Sequence, residues 1–90
     1  MALYFLHLRD GTSELLDPEG QEFATLPALR TAVLATVRDL MMGDIRKGVL
    51  NLRLRLDAQD KTGKIVHTLP FGRAVTIFRV GGLAHLARPI

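Results

Sequence analysis

The sequence lacks cysteine altogether and contains a single serine, Ser13. The absence of cysteine excludes disulfide bonds, cysteine-ligated zinc and thiol redox chemistry. Because Ser13 lies in a predicted turn, nucleophilic catalysis has no suitable serine or cysteine. We therefore expect a protein without enzymatic activity, and a hydrolytic activity around His7 is the weaker alternative.

Long hydrophobic runs are also missing. No apolar stretch reaches the roughly 18 residues of a membrane-spanning helix, and the first residues lack the basic region of a signal peptide. These absences predict a cytoplasmic protein. The length of 90 residues allows one domain, which we place at residues 1–80, followed by an apolar C-terminal tail at residues 81–90.

No acidic residue follows Asp60, and the charges are distributed unevenly. Residues 1–24 contain one basic and five acidic residues, whereas the remaining residues contain eleven basic and four acidic ones. This asymmetry is compatible with an anionic partner for the basic part. It also fits acidic and basic parts that face each other, within one chain or across a dimer, and we favour this second interpretation.

The first predicted strand, Leu3 to Arg9, is apolar on both faces. Leu3, Phe5 and His7 alternate with Tyr4, Leu6 and Leu8. This pattern is typical of an interior strand that is covered on two sides. A turn at residues 10–13 leads to a second strand at residues 14–17, and a brief third strand follows at residues 21–24.

A long helix is predicted next. Thr25 suits the N-cap, Pro27 suits the first turn, and apolar residues recur at helical spacing as far as Ile45. The basic residues before Gly48 favour a helix end at about Lys47.

Leucines alternate with polar residues from Leu50 to Asp57, which predicts a strand. A turn at residues 60–63 leads to a return strand at residues 64–69, which Pro70 ends. One register places His67 beside Leu56 in the core, and the next places it across from Asp57. Residues 75–80 have the composition of a strand, either at a sheet edge or as a docked segment.

These elements predict an α+β fold of order β-β-(β)-α-β-β with a C-terminal appendage. The helix packs across one face of a small antiparallel sheet. The apolar faces of the helix and of the leucine-rich strand are expected to pack together in the core. Their residues are Leu29, Val33, Val37 and Leu40 of the helix, and Leu50, Leu52, Leu54 and Leu56 of the strand.

Several short motifs resemble a bacterial domain-of-unknown-function family of short proteins opening with Tyr-Phe-x-His. They are Tyr4-Phe5-x-His7, Asp10-Gly11, Asp17-x-x-Gly20-x-Glu22, Asp60-x-x-Gly63 and Leu69-Pro70-Phe71-x-x-Ala74-Val75. The resemblance implies no agreed activity and no functional residue. In layout alone, the chain is similar to the HicB-type antitoxin domain, which implies an inhibitory or nucleic-acid-binding role.

His7 and Asp10 combine the elements of a general base or a metal site. Positions three apart on a strand point to opposite faces, so we interpret both residues as structural. The three histidines lie in separate elements without carboxylates at ligand spacing. We predict no metal and no cofactor.

Basic residues on the predicted sheet suggest a nucleic-acid surface. Arg53 and Arg55 share one face of the strand, and Lys64 lies near it on the return strand. No aromatic residue lies between them for base stacking. A solvated face, or pairing with acids of the first hairpin, is the favoured alternative.

One helix covers only one face of a sheet, so the other face needs a different cover. We predict a homodimer that supplies it. The candidate interface residues are Leu3, Phe5 and His7 of the first strand, Leu34, Met41 and Met42 of the helix flank, and Leu83, Leu86 and Ile90 of the tail. The predicted function is that of a non-catalytic interaction or regulatory module, and a nucleic-acid-binding or antitoxin-like regulator is the alternative.

Overall fold

The computed structural model describes residues 1–78, which form one long helix and a five-stranded antiparallel sheet. The strands are β1 (Ala2–Arg9), β2 (Glu14–Leu15), β3 (Gln21–Phe23), β4 (Arg55–Gln59) and β5 (Ile65–Pro70). The helix α1 spans Leu26–Arg46, and a 3₁₀ turn spans Phe71–Arg73. The predicted α+β class and element order are confirmed.

Strand β1 lies in the interior of the sheet, as its two apolar faces predict. The strand order is β2-β1-β4-β5, and β3 pairs with the first half of β1. The segment from β2 to β3 returns beside β1 in two pieces, with Leu15 opposite Leu8 and Gln21 opposite Tyr4.

Helix α1 has the predicted ends. The hydroxyl of Thr25 accepts a hydrogen bond from the Ala28 N–H at 3.1 Å, and a proline occupies the first turn. At the other end, Gly48 has a φ of 82° and donates its N–H to the Ile45 carbonyl at 2.9 Å. These contacts satisfy backbone groups that the helix itself leaves unpaired.

The helix packs on the sheet through residues four positions apart: Leu29, Val33, Val37 and Met41. The prediction that Leu40 belongs to the core is wrong, because Leu40 lies to the side of this stripe and is 38% exposed. Met41 takes its place in the core and is 3% exposed. Leu34 is partly buried against the core.

The sheet contributes Leu56 and Ala58 to the core, and Phe23, Phe71 and Ala74 complete it. Tyr4, Leu6 and Leu8 of β1 pack against this cluster. Because side chains alternate along a strand, Leu3, Phe5 and His7 lie on the opposite face, which we call the outer face. This division of β1 agrees with the prediction.

The predicted start of β4 at Leu50 is wrong. Leu50 and Leu52 are 40% and 44% exposed, and β4 begins only at Arg55. Arg55 pairs with Arg9, the last residue of β1, after which the chain turns away. Residues 50–54 therefore have no neighbouring strand with which to form a ladder, whatever their alternation.

A turn that begins at Asn51 and ends at Leu54 replaces the missing strand residues. The Asn51 side chain accepts a hydrogen bond from the Arg53 N–H at 3.0 Å. Such local bonds from asparagine compete with sheet pairing. The consequence is that Arg53 does not lie on the sheet.

The β4–β5 hairpin has the predicted turn, with Gly63 at a φ of 90° and its N–H donated to the Asp60 carbonyl at 3.0 Å. His67 lies opposite Ala58, on the face of Leu56, so the first of the two predicted placements has the right face. Burial, followed by the nearby charge of Arg30, lowers the pKa of His67 below its ordinary 6.5.

Residues 75–78 follow the 3₁₀ turn without forming a strand. The rest of the predicted strand, the boundary at residue 80 and the tail residues Leu83, Leu86 and Ile90 lie outside the described residues. Within residues 1–78, no helix combines the length and the hydropathy that crossing a membrane requires.

Candidate functional site

His7 accepts a backbone hydrogen bond at the point where the return strand beside β1 is interrupted, between β2 and β3. Its Nδ1 accepts a hydrogen bond from the Asp17 N–H at 3.0 Å. The Asp17 carboxylate accepts one from the Leu6 N–H at 3.2 Å and others from the N–H groups of Glu19 and Gly20. These side chains satisfy backbone groups that ladder bonds leave unpaired between β2 and β3.

The surroundings of Asp17 keep it ionised. Burial on its own raises the pKa of Asp17, but hydrogen bonds from the Gly20, Leu6 and Glu19 N–H groups outweigh burial and lower it. The Asp17 carboxylate therefore acts as an acceptor for three backbone N–H groups.

Gly20 completes the same unit. Its φ is 75°, and a Cβ at this position lies 2.9 Å from the Tyr4 carbonyl oxygen and 3.0 Å from the Phe5 ring. The Phe5 ring stacks in turn on His7, with centroids 6.3 Å apart. Only glycine fits here, for reasons of both backbone conformation and space.

His7 and Asp10 do not form a site together. The Asp10 carboxylate accepts from the N–H groups of Thr12 and Ser13 within its own turn, at 3.2 and 2.8 Å. Among residues 1–78 there is no group of three or more histidine, aspartate or glutamate residues arranged to hold a metal ion.

The most buried charge in the described chain is Asp57, on the outer face and only 1% exposed. Its Oδ2 accepts from Nη1 of Arg9 at 2.9 Å and from Nε of Arg55 at 3.2 Å. Its Oδ1 accepts from the Thr68 hydroxyl at 2.9 Å. Both carboxylate oxygens are therefore occupied.

The pKa values reflect this arrangement. Burial alone raises the pKa of Asp57, but hydrogen bonds from Arg9, Thr68 and Arg55 outweigh it and lower the pKa. The hydrogen bond to Asp57 raises the pKa of Arg9 in turn. Asp57 therefore stays ionised, and its three hydrogen bonds link β1, β4 and β5.

Sequence reasoning missed the burial of Asp57, which it placed on a polar strand face. One signal was available: β1 is apolar on both faces, so the neighbouring strand also has a partly covered outer face. Identifying Arg9 and Thr68 as partners required the sheet order as well.

The three nucleic-acid candidates do not form one surface. Arg55 is held by Asp57, and Arg53 lies in the turn before β4. Lys64 lies beyond the far end of the β4–β5 ladder, which places it roughly 15 Å from Arg55 along the strands.

Two apolar surfaces flank the second half of α1. The first, which we call the leucine patch, comprises Leu8, Leu15, Leu16, Leu40 and Leu54. It contains two adjoining depressions of about 230 and 140 Å³ that share Leu8 and Leu15. Leu15 and Leu16 are 69% and 55% exposed.

The second surface, which we call the methionine groove, lies on the opposite flank of α1 and has a volume of about 520 Å³. It is lined by Arg38, Met41, Met42, Ile45, Leu50, Val75, Thr76 and Ile77. Met42, an interface candidate from the sequence, is 54% exposed here.

The fold and these contacts define a small α+β domain whose polar clusters maintain its structure. The chain matches the family described as Domain of unknown function (DUF6894) over residues 3–72, and it belongs to that family. No curated protein matches the chain, and no solved structure matches it either. The matched range includes the His7–Asp17–Gly20 unit and the Asp57 cluster.

Proposed function

We propose that this protein is a non-catalytic interaction module that self-associates as a dimer through the leucine patch. A cytoplasmic location and a regulatory role belong to the same proposal. The observation that carries it is the exposure of the patch: Leu15, Leu16 and Leu40 are 69%, 55% and 38% exposed. Monomeric soluble proteins rarely expose contiguous apolar surface of this kind.

The leucine patch combines two separate segments, which suits a second copy of the chain as the partner. Leu15 and Leu16 lie at and just after the end of β2, whereas Leu40 lies on α1. A two-fold axis that sets Leu15 of each copy against Leu40 of the other therefore buries both segments of both copies.

The outer face is the less suitable contact surface. Its centre contains the ionic cluster of Asp57, Arg9 and Arg55. Burying these charges further requires desolvation that a second copy does not compensate with new partners. Leu3 and Phe5 on this face are already half-buried within one chain.

Sedimentation velocity at micromolar concentration tests the proposal. We expect the parent to sediment as a dimer and Leu16→Glu as a monomer, because the new carboxylate has to be buried unpaired in the contact. Leu26→Glu is the matched control, since Leu26 is also exposed, at 41%, but lines neither apolar surface. A monomeric parent contradicts self-association, and a dimeric Leu16→Glu contradicts the role of the patch.

Nucleic-acid binding receives less support. A surface that follows a phosphate backbone needs several lysine or arginine side chains along one path that are not already in ion pairs. Arg55 forms an ion pair with Asp57, and Lys64 is separated from it by the length of the hairpin.

A further inference from the structure

We propose that the methionine groove binds a small amphiphile that has an aliphatic chain and a carboxylate head, of the medium-chain fatty acid class. The groove is distinct from the leucine patch, so this inference does not depend on self-association. Its volume of about 520 Å³ lies within the range of small-molecule sites.

The walls account for the aliphatic part of the ligand. Met42, Ile45 and Ile77 remain 54%, 59% and 52% exposed, and the buried Met41 forms part of the groove surface. Methionine side chains adapt to apolar ligands because they are unbranched and polarisable. An aliphatic chain removes this apolar surface from water.

Arg38 accounts for the carboxylate. It is the only charged residue among the described residues that line the groove. Its Nε donates to the Ala74 carbonyl at 2.8 Å, which fixes the guanidinium at the groove wall. Within residues 1–78 no acidic side chain forms a salt bridge with Arg38. A guanidinium fixed in this way pairs well with a carboxylate.

The two walls differ in their relation to the family. The α1 wall lies inside the matched residues 3–72, whereas Val75, Thr76 and Ile77 lie beyond them. The segment after the 3₁₀ turn therefore supplies the second side of the groove, and the Arg38 bond to Ala74 holds the start of that segment against the helix.

Isothermal titration calorimetry of the full-length chain with decanoate and with decanol, both below their aggregation concentrations, tests the proposal. The two probes share a chain and differ in the charge of the head. We expect saturable decanoate binding, about tenfold tighter than decanol, because one partner of the new hydrogen bonds is charged. Arg38→Gln should abolish this preference, whereas a merely structural role of Arg38 weakens both probes alike.

A matched pair of variants locates the site. Ile45→Glu should abolish binding of both probes, whereas Val49→Glu should bind as the parent does. The two residues are 59% and 61% exposed near the end of α1, and only Ile45 lines the groove. The proposal is overturned by an absence of saturable decanoate binding, by equal affinity of the parent for both probes, or by equal effects of the two variants.

Discussion

Nη1 of Arg9 in β1 donates a hydrogen bond to Oδ2 of Asp57 in β4 at 2.9 Å, although the two residues are not directly opposite in the sheet. Arg9 pairs with Arg55, and Asp57 pairs with His7. The bond therefore runs diagonally across the two strands, over a sequence separation of 48 residues. With Thr68 on the other oxygen, it links three strands through one carboxylate.

Removing this carboxylate should destabilise the fold. Asp57→Ala leaves Arg9 and Arg55 adjacent without their shared counter-charge, and we expect a loss of about 3 kcal/mol in the free energy of unfolding. Asp39→Ala is the control, because Asp39 is an exposed helix residue and should change stability by less than about 0.5 kcal/mol. Urea denaturation measures both, and equal midpoints would contradict the role of the cluster.

The same cluster predicts a dependence on acid. The folded-state pKa of Asp57 lies below the ordinary 3.8, so on acidification the unfolded chain takes up the proton first. The contribution of Asp57 to stability is therefore complete well above pH 3.8 and is lost as pH falls towards its folded-state pKa. In urea titrations at pH 7, 5 and 3, Asp57→Asn should lose less stability than the parent between pH 5 and 3. Parallel losses would show that other carboxylates dominate.

Two glycines should respond in opposite directions to alanine. Gly20→Ala forces a Cβ into a positive φ and against the Tyr4 carbonyl, and it should cost about 2 kcal/mol or more. Gly43→Ala lies inside α1 with nothing within 4 Å of the added Cβ, and it should stabilise by about 1 kcal/mol. Thermal unfolding distinguishes them, and a common sign would contradict the described environment of one of them.

Truncating leucines tests the corrected start of β4. Leu56→Ala should cost about 3 kcal/mol, because Leu56 is 3% exposed in the core. Leu52→Ala should cost less than about 1 kcal/mol, because Leu52 is 44% exposed and precedes the strand. Similar losses for the two in urea denaturation would instead favour one continuous strand from Leu50.

Charge reversal tests the alternative function. Because Arg55 is held by Asp57, we expect labelled RNA and DNA to bind weakly at low salt, with less than about a threefold change in Arg53→Glu, Lys64→Glu. Fluorescence anisotropy at low and moderate salt measures this. A loss of tenfold or more in the affinity of the double variant at low salt would revive the nucleic-acid interpretation.

Turns and helix ends were predictable from the sequence because their hydrogen bonds are local. Thr25 bonds to Ala28, Gly63 to Asp60 and Gly48 to Ile45, each within a few positions along the chain. Both partners of each bond can therefore be identified from the residue types and their spacing in the sequence. The alternation of β1 was equally readable, since an apolar strand on both faces belongs inside a sheet.

The remaining features depended on contacts between distant segments. The leucine alternation from Leu50 reads as a strand, but a strand needs a neighbour, and β1 ends at Arg9. In the same way, Asp57 is a polar residue in an alternating pattern until Arg9 and Thr68 converge on it. The sequence by itself determined the caps of α1, the turns at residues 10–13 and 60–63, and the element order. Only the tertiary structure decided which residues pair, which charge is buried and which apolar flanks stay exposed, because those outcomes depend on partners that local spacing does not specify.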